Sequence, residues 1–170
     1  MARPSQAREA LRSIEQTGRA ALQELRRLLG AVRNADETPL APQPGLGHLD
    51  ELVEQVRRAG LAVELHVEGS PRPLAAGVDL SAYRIVQEAL TNTIKHAHAS
   101  SADVFLRYEG DRLELVVADD GVGPANGSGG GHGLIGMRER VSMYGGELDA
   151  VARPEGGFLV RASLPAADAT

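Results

Sequence analysis

Three stretches of this chain combine residue types able to do chemistry with spacings that bring them together. Between 79 and 97, Arg84, Glu88, Asn92 and Lys95 recur every three or four residues, with His96 beside them. At about 100° per residue, that spacing sets them on one helix face. A carboxylate there can orient a nucleophile or take its proton. An amide oxygen one turn further can ligate Mg²⁺, which prefers oxygen donors and keeps much of its water. A Lys and a His beyond it can meet phosphate oxygens. Taken alone, the same face also reads as a solvated Glu–Asn–Lys ladder.

The second stretch is Asp119-Asp-Gly121-Val-Gly123-Pro, which directly follows the strand-like Leu113-Glu-Leu-Val-Val-Ala118. A carboxylate at a strand end can accept a hydrogen bond from an exocyclic amine, such as that of adenine. Glycines two and four residues on let the backbone turn sharply and approach a flat ring. In isolation this is a common Asp-Gly turn. The third stretch, Gly131-His-Gly133-Leu134-Ile-Gly-Met, leads into a helix. Bare amides and the positive end of the helix dipole favour bound phosphate at such a place. No Lys-Ser/Thr follows, so it is not a Walker loop, and it follows a turn, unlike the dinucleotide fingerprint.

These groups need elements to hold them. Leu49, Leu52, Val53 and Val56 predict a helix over 48–59, stopped by Gly60. Alternation predicts strands at 61–67, 102–108, 112–118, 147–152 and 157–164, with helices at 79–97 and 133–144. On the helix over 79–97, the apolar stripe is Val86, Leu90, Thr93 and Ala97. The order α-β-α-β-β-α-β-β is that of an α+β two-layer sandwich, a sheet with helices on one face. Upstream, Leu11, Gly18, Leu25 and Val32 lie seven apart, and Ile14, Ala21 and Leu28 form a second row. That is a coiled-coil seam on a helix about 40 Å long, which needs a partner helix to be stable. Three Pro and two Gly within 34–47 make a linker. The expected organisation is 1–33 helix, 34–47 linker, 48–165 sandwich and 166–170 tail.

Composition narrows the function classes. The chain has 170 residues, 42% hydrophobic and 24% charged, with only 3% aromatics and no Cys. Thiolate metal sites and disulfides are excluded. No apolar run approaches the ~20 residues of a membrane span, and the N-terminus has no signal-peptide core, so the chain is expected to be cytoplasmic. Residues 1–33 carry seven Arg against three Glu, while the whole chain has a net charge of −5. These Arg alternate with Glu and apolar residues at helical spacing, a solvated face rather than a nucleic-acid surface.

Glu88-x-x-x-Asn92, then Asp119-x-Gly-x-Gly, then Gly131-x-Gly resembles the GHKL (Bergerat-type) ATPases in order and spacing. The stretches AYRIVQEALTNTIKHAHAS, ADDGVG, GHGLIGMRERVSMYGGEL and GGFLVRASLP resemble one branch more narrowly. That branch is the sensor histidine kinases, in actinobacterial form, that partner NarL/FixJ-type response regulators. The resemblance spans about 48–165. The arm AREALRSIEQTGRAALQELRRLLGAVR looks, more loosely, like the second helix of that branch's dimerisation hairpin.

The resemblance implies ATP and Mg²⁺ as ligands, a response regulator as partner and a homodimer through the N-terminal helix. It implies that Glu88 acts as base or positioning group near the γ-phosphate and that Asn92 holds Mg²⁺. Lys95 and His96 would contact phosphates. Asp119 would read the adenine amine, Gly121 and Gly123 would shape that wall, and 124–132 would be a lid hinged at Gly131 and Gly133, with Leu134 beside it. Such kinases phosphorylate a His on the first hairpin helix. Residues 1–47 contain no His, so the acceptor and any membrane anchor are expected upstream, and the phenylalanine-containing box of many relatives is not evident. Two alternatives remain: a related anti-sigma-type serine kinase, against which the seam helix argues, and a non-catalytic nucleotide-sensing interaction module.

Overall fold

The computed structural model describes residues 43–122 and 132–166. The expected N-terminal helix, most of the linker, Gly123, Gly131, most of the lid and residues 167–170 lie outside them. A 3-10 turn, Leu46–His48, leads into α1, Leu49–Arg58. The four apolar residues expected to face inward, Leu49, Leu52, Val53 and Val56, are all buried. Asp50 and Glu51 in its first turn and Arg57 and Arg58 in its last complement the helix dipole. The Arg57 guanidinium donates to the Val63 carbonyl from Nε at 2.9 Å and Nη2 at 2.6 Å, tying α1 to the next strand.

Five strands follow: β1 Ala62–Glu68, β2 Ser101–Glu109, β3 Arg112–Asp119, β4 Glu147–Ala152 and β5 Phe158–Pro165. They form one sheet in the order β1-β2-β3-β5-β4. β1 and β2 are parallel and the other pairs antiparallel. The remaining helices are α2, Ala76–Asn92, and α3, His132–Met143. This is the expected α+β sandwich. Leu113, Leu115 and Val117 of β3 and Val160, Ala162 and Leu164 of β5 face the helices, where they meet Ile85, Val86 and Leu90 of α2 and Met137 and Val141 of α3. With few aromatics, the core is built from interdigitated aliphatic side chains. No helix of the described residues is long and apolar enough to cross a membrane.

The structure corrects the expected boundaries. The helix expected over 79–97 begins at Ala76 and changes character after Asn92, where Thr93–Ala97 forms a π-helical turn. The stretch 43–47, expected as linker, already belongs to the folded unit, and Leu46 N–H donates to Asp79 Oδ1 at 2.9 Å. Ala166, expected to open the tail, is fully buried, and its N–H donates to the Asp111 carbonyl at 2.6 Å.

Leu115 is fully buried, whereas Val151 is 52% exposed on the outer side of β4. Leu115→Ala is expected to cost about 2–5 kcal/mol in urea unfolding, and Val151→Ala less than about 0.5 kcal/mol.

Candidate functional site

Strand alternation sends Leu113, Leu115 and Val117 toward the helices, and one more step puts Asp119 at the next core-facing position. β3 therefore runs one residue past its expected end and finishes in a carboxylate only 5% exposed. A buried carboxylate needs donors. Gly121 N–H reaches Oδ1 at 2.9 Å, and Phe158 N–H, at the start of β5, reaches the same oxygen at 3.2 Å. The Thr93 hydroxyl lies 3.1 Å from Oδ2 and 3.1 Å from the Ala89 carbonyl. A carboxylate offers roughly four acceptor positions. Three are engaged by these groups, which leaves one on Oδ2 for a donor from outside the described residues.

The backbone around Asp119 is pinned from three sides. Val122 N–H donates to the Ala97 carbonyl at 2.9 Å, and Arg153 Nη1 donates to the Asp119 carbonyl at 3.2 Å. Gly157, with φ +95, passes so close to the Asp119 carbonyl that a side chain there would collide with it. The neighbouring Asp120 points the other way. Its Oδ1 accepts N–H bonds from Ser101 at 2.9 Å and Ser100 at 2.8 Å, and its Oδ2 accepts from the Ser101 hydroxyl at 3.0 Å. The Ser101 amide, with help from Ser100 and the Ser101 hydroxyl, holds the Asp120 carboxyl below its ordinary range.

Glu88 and Asn92 occupy one side of α2, both half-buried. Gly133, at the start of α3, packs against them, and a methyl group built there would meet the Glu88 carboxylate and come within 3.5 Å of Asn92 Nδ2. The N-terminus of α3 thus faces the Glu88–Asn92 pair, and its dipole favours negative charge at that point. Leu134 is half-buried and packs on the core.

The structure brings together Glu88, Asn92 and Gly133 in one group, and Asp119 and Gly121 in another. Thr93, which directly follows Asn92, joins the two. Lys95 and His96 are exposed on the π turn, and their side chains have no hydrogen bond or ion pair among the described residues. The wider turn breaks the 100° phase beyond Asn92, so the single face expected from Arg84 to Lys95 is continuous only as far as Asn92. Thr93, Arg153, Gly157 and Phe158 belong to the site without a local sequence signal that marks them. Thr93 fits the apolar stripe of its helix, and the others arrive through the pairing of β5 with β3 and the β4–β5 connection.

The sequence model of the "Histidine kinase-, DNA gyrase B-, and HSP90-like ATPase" family matches residues 77–168, just over half of the chain. The chain belongs to this family of ATPases. A second model, described as "Histidine kinase", matches residues 1–37. Among similar proteins, the signal transduction histidine-protein kinase/phosphatase DegS of Brevibacillus brevis is 30% identical over 162 residues, covering 94% of this chain and 42% of DegS. The sensor histidine kinase YxjM of Bacillus subtilis is 33% identical over 159 residues, covering 92% of this chain and 38% of YxjM. The chain thus spans less than half the length of these relatives. The Erythrobacter litoralis EL346 blue-light activated histidine kinase shares the fold, with a TM-score of 0.58 and 24% identity over 72% of this chain and 42% of its own.

Because the Asp120 carboxyl is depressed in the folded state, its stabilisation is present above the ordinary carboxylate range and is lost as pH falls through the depressed value. Asp120→Ala should lower the melting midpoint at neutral pH. The gap from wild type should narrow in acid, as thermal melts across pH will show.

Proposed function

We propose that this chain is the ATP-binding catalytic part of a two-component sensor histidine kinase, donating the γ-phosphoryl group to a histidine for relay to a response-regulator aspartate. The observation that carries the reading is Asp119: a buried carboxylate, held by three donors among the described residues, which leave one acceptor position. That position suits the exocyclic amine of adenine. Gly121 and, by likeness to the family, Gly123 would shape the wall beside the ring.

Glu88 lies against the start of α3, where it orients the incoming imidazole or takes its proton. The Asn92 amide oxygen is the group suited to hold Mg²⁺, which neutralises phosphate charge when bound. Lys95, His96 and the amides around Gly131, Gly133 and Leu134 would hold phosphate oxygens, and by likeness to the family 124–132 would be the lid. Phosphoryl transfer rests on positioning and charge neutralisation, and this set of groups suffices for the donor half. Both family matches support the reading, one on the ATPase fold and one on residues 1–37.

The finer assignments rest on the sequence resemblance and on composition. They are a regulator of the NarL/FixJ type, a homodimer through the helix of 1–33, the linker from 34 and a cytoplasmic location. The seam helix favours a histidine kinase over a serine kinase of the anti-sigma type.

Asp119→Asn tests the reading. It keeps the Oδ1 acceptor for Gly121 and Phe158 but turns the free acceptor into a donor. Calorimetry with Mg-ADP should show 1:1 binding to wild type, weakened about tenfold or more in the variant. Asn92→Ala should remove the dependence of affinity on Mg²⁺. Absence of binding to wild type, or equal affinity in Asp119→Asn, would refute it.

A further inference from the structure

The outer face of the sheet, opposite the helices, carries a cluster that the proposed kinase chemistry does not use. In the parallel register of β1 and β2, Glu64 is level with Asp103 and His66 with Phe105. Residues two apart on a strand share a face, so Glu64, His66 and Asp103 converge. One donor atom from each lies within 4.8 Å of the others. His66 Nε2 is 3.5 Å from Glu64 Oε2. The imidazole stacks on Phe105, with centroids 4.6 Å apart and planes 15° apart. Its orientation is therefore set by a ring neighbour as well as by the acids.

The charges at this point are unbalanced. Like charges level on adjacent strands destabilise a sheet. Further along the same face the acids are relieved, because Arg107 pairs with Glu68 at 2.7 Å and Glu114 at 3.6 Å. Among the described residues no Arg or Lys does this for Glu64 and Asp103. Among the described residues the Glu64 side chain is paired only with His66, which is charged only when protonated, and the Asp103 side chain has no hydrogen bond or ion pair. A cation is the missing component.

We propose that Glu64, His66 and Asp103 bind a divalent transition-metal ion of the zinc class. One imidazole nitrogen with two carboxylate oxygens is a donor set that suits zinc, whereas Mg²⁺ and Ca²⁺ favour all-oxygen sites. Three protein ligands leave the remaining positions to water. The side chains of His66 and Glu64 are 41% and 76% exposed, so the ion enters directly from solvent. Once bound, it neutralises the facing carboxylates and fastens the edge strand β1 to β2. The site does not depend on nucleotide, since Asp119 points to the opposite face of the sheet.

Zinc titration of the 170-residue chain by calorimetry in Mg²⁺-free buffer, paired with thermal melts, tests this. Wild type should show one saturable site and a higher melting midpoint with zinc. His66→Gln and Asp103→Asn should each weaken binding by about tenfold or more and abolish the zinc-induced rise. His98→Asn, which disrupts the His96-x-His98 pair, should leave both unchanged. Without metal, Asp103→Asn should melt above wild type because it removes a like-charge contact, so lost binding is not lost folding. The proposal is overturned if wild type shows no saturable zinc site, if His66→Gln binds zinc as wild type does, or if His98→Asn removes the site.

Discussion

A carboxylate placed on the core side of a sheet is expensive unless donors surround it, and most of the described site is arranged around meeting that demand for Asp119. The donors come from separate parts of the chain: the end of α2 through Thr93, the turn after β3 through Gly121, and the start of β5 through Phe158. The β4–β5 connection presses on the same point through Arg153 and Gly157. These contacts fix the ends of two strands and one helix relative to one another. Among the described residues they also leave the carboxylate with a single acceptor position to offer, which would suit a ligand that donates.

The second constraint is the fit of α3 against α2. Gly133 lies so close to the Glu88 carboxylate that only the absence of a side chain permits the approach. The same closeness sets the positive end of α3 against the two polar residues that Asp119 does not reach. The π turn after Asn92 matters here as well. It carries Thr93 inward to Asp119 and leaves Lys95 and His96 outside. Wide turns of this kind inside helices often mark functional positions. Here it lets one continuous segment serve both halves of the site.

Local periodicity made most elements legible, because each buries a face whose period is that of its own backbone. Leu49, Leu52, Val53 and Val56 defined α1, and the strands fell within a residue or two of their expected bounds. Of the candidate site residues, those fixed by local spacing, Glu88 and Asn92, emerged side by side. Asp119 had a further signal available, since extending Leu113, Leu115 and Val117 by one step lands on it. Other features were not legible, for physical reasons. Thr93 fits an apolar stripe by size, and only the tertiary position of Asp119 gives its hydroxyl a partner. The π turn has no propensity signature; its C-cap, His98, takes φ 49, and Ala97 is anchored by Val122. Phe158, Arg153, and the convergence of Glu64, His66 and Asp103 depend on strand order and register, which sequence spacing does not encode.

On the proposed function, one acceptor position on a buried carboxylate chooses the ligand. Competition between ADP and IDP for wild-type protein tests it, because at C6 ADP carries a donor amine where IDP carries an acceptor carbonyl, N1 changing from acceptor to N–H donor alongside. ADP should displace a fluorescent nucleotide at concentrations about tenfold or more below those needed for IDP. Equal displacement by the two would contradict the account.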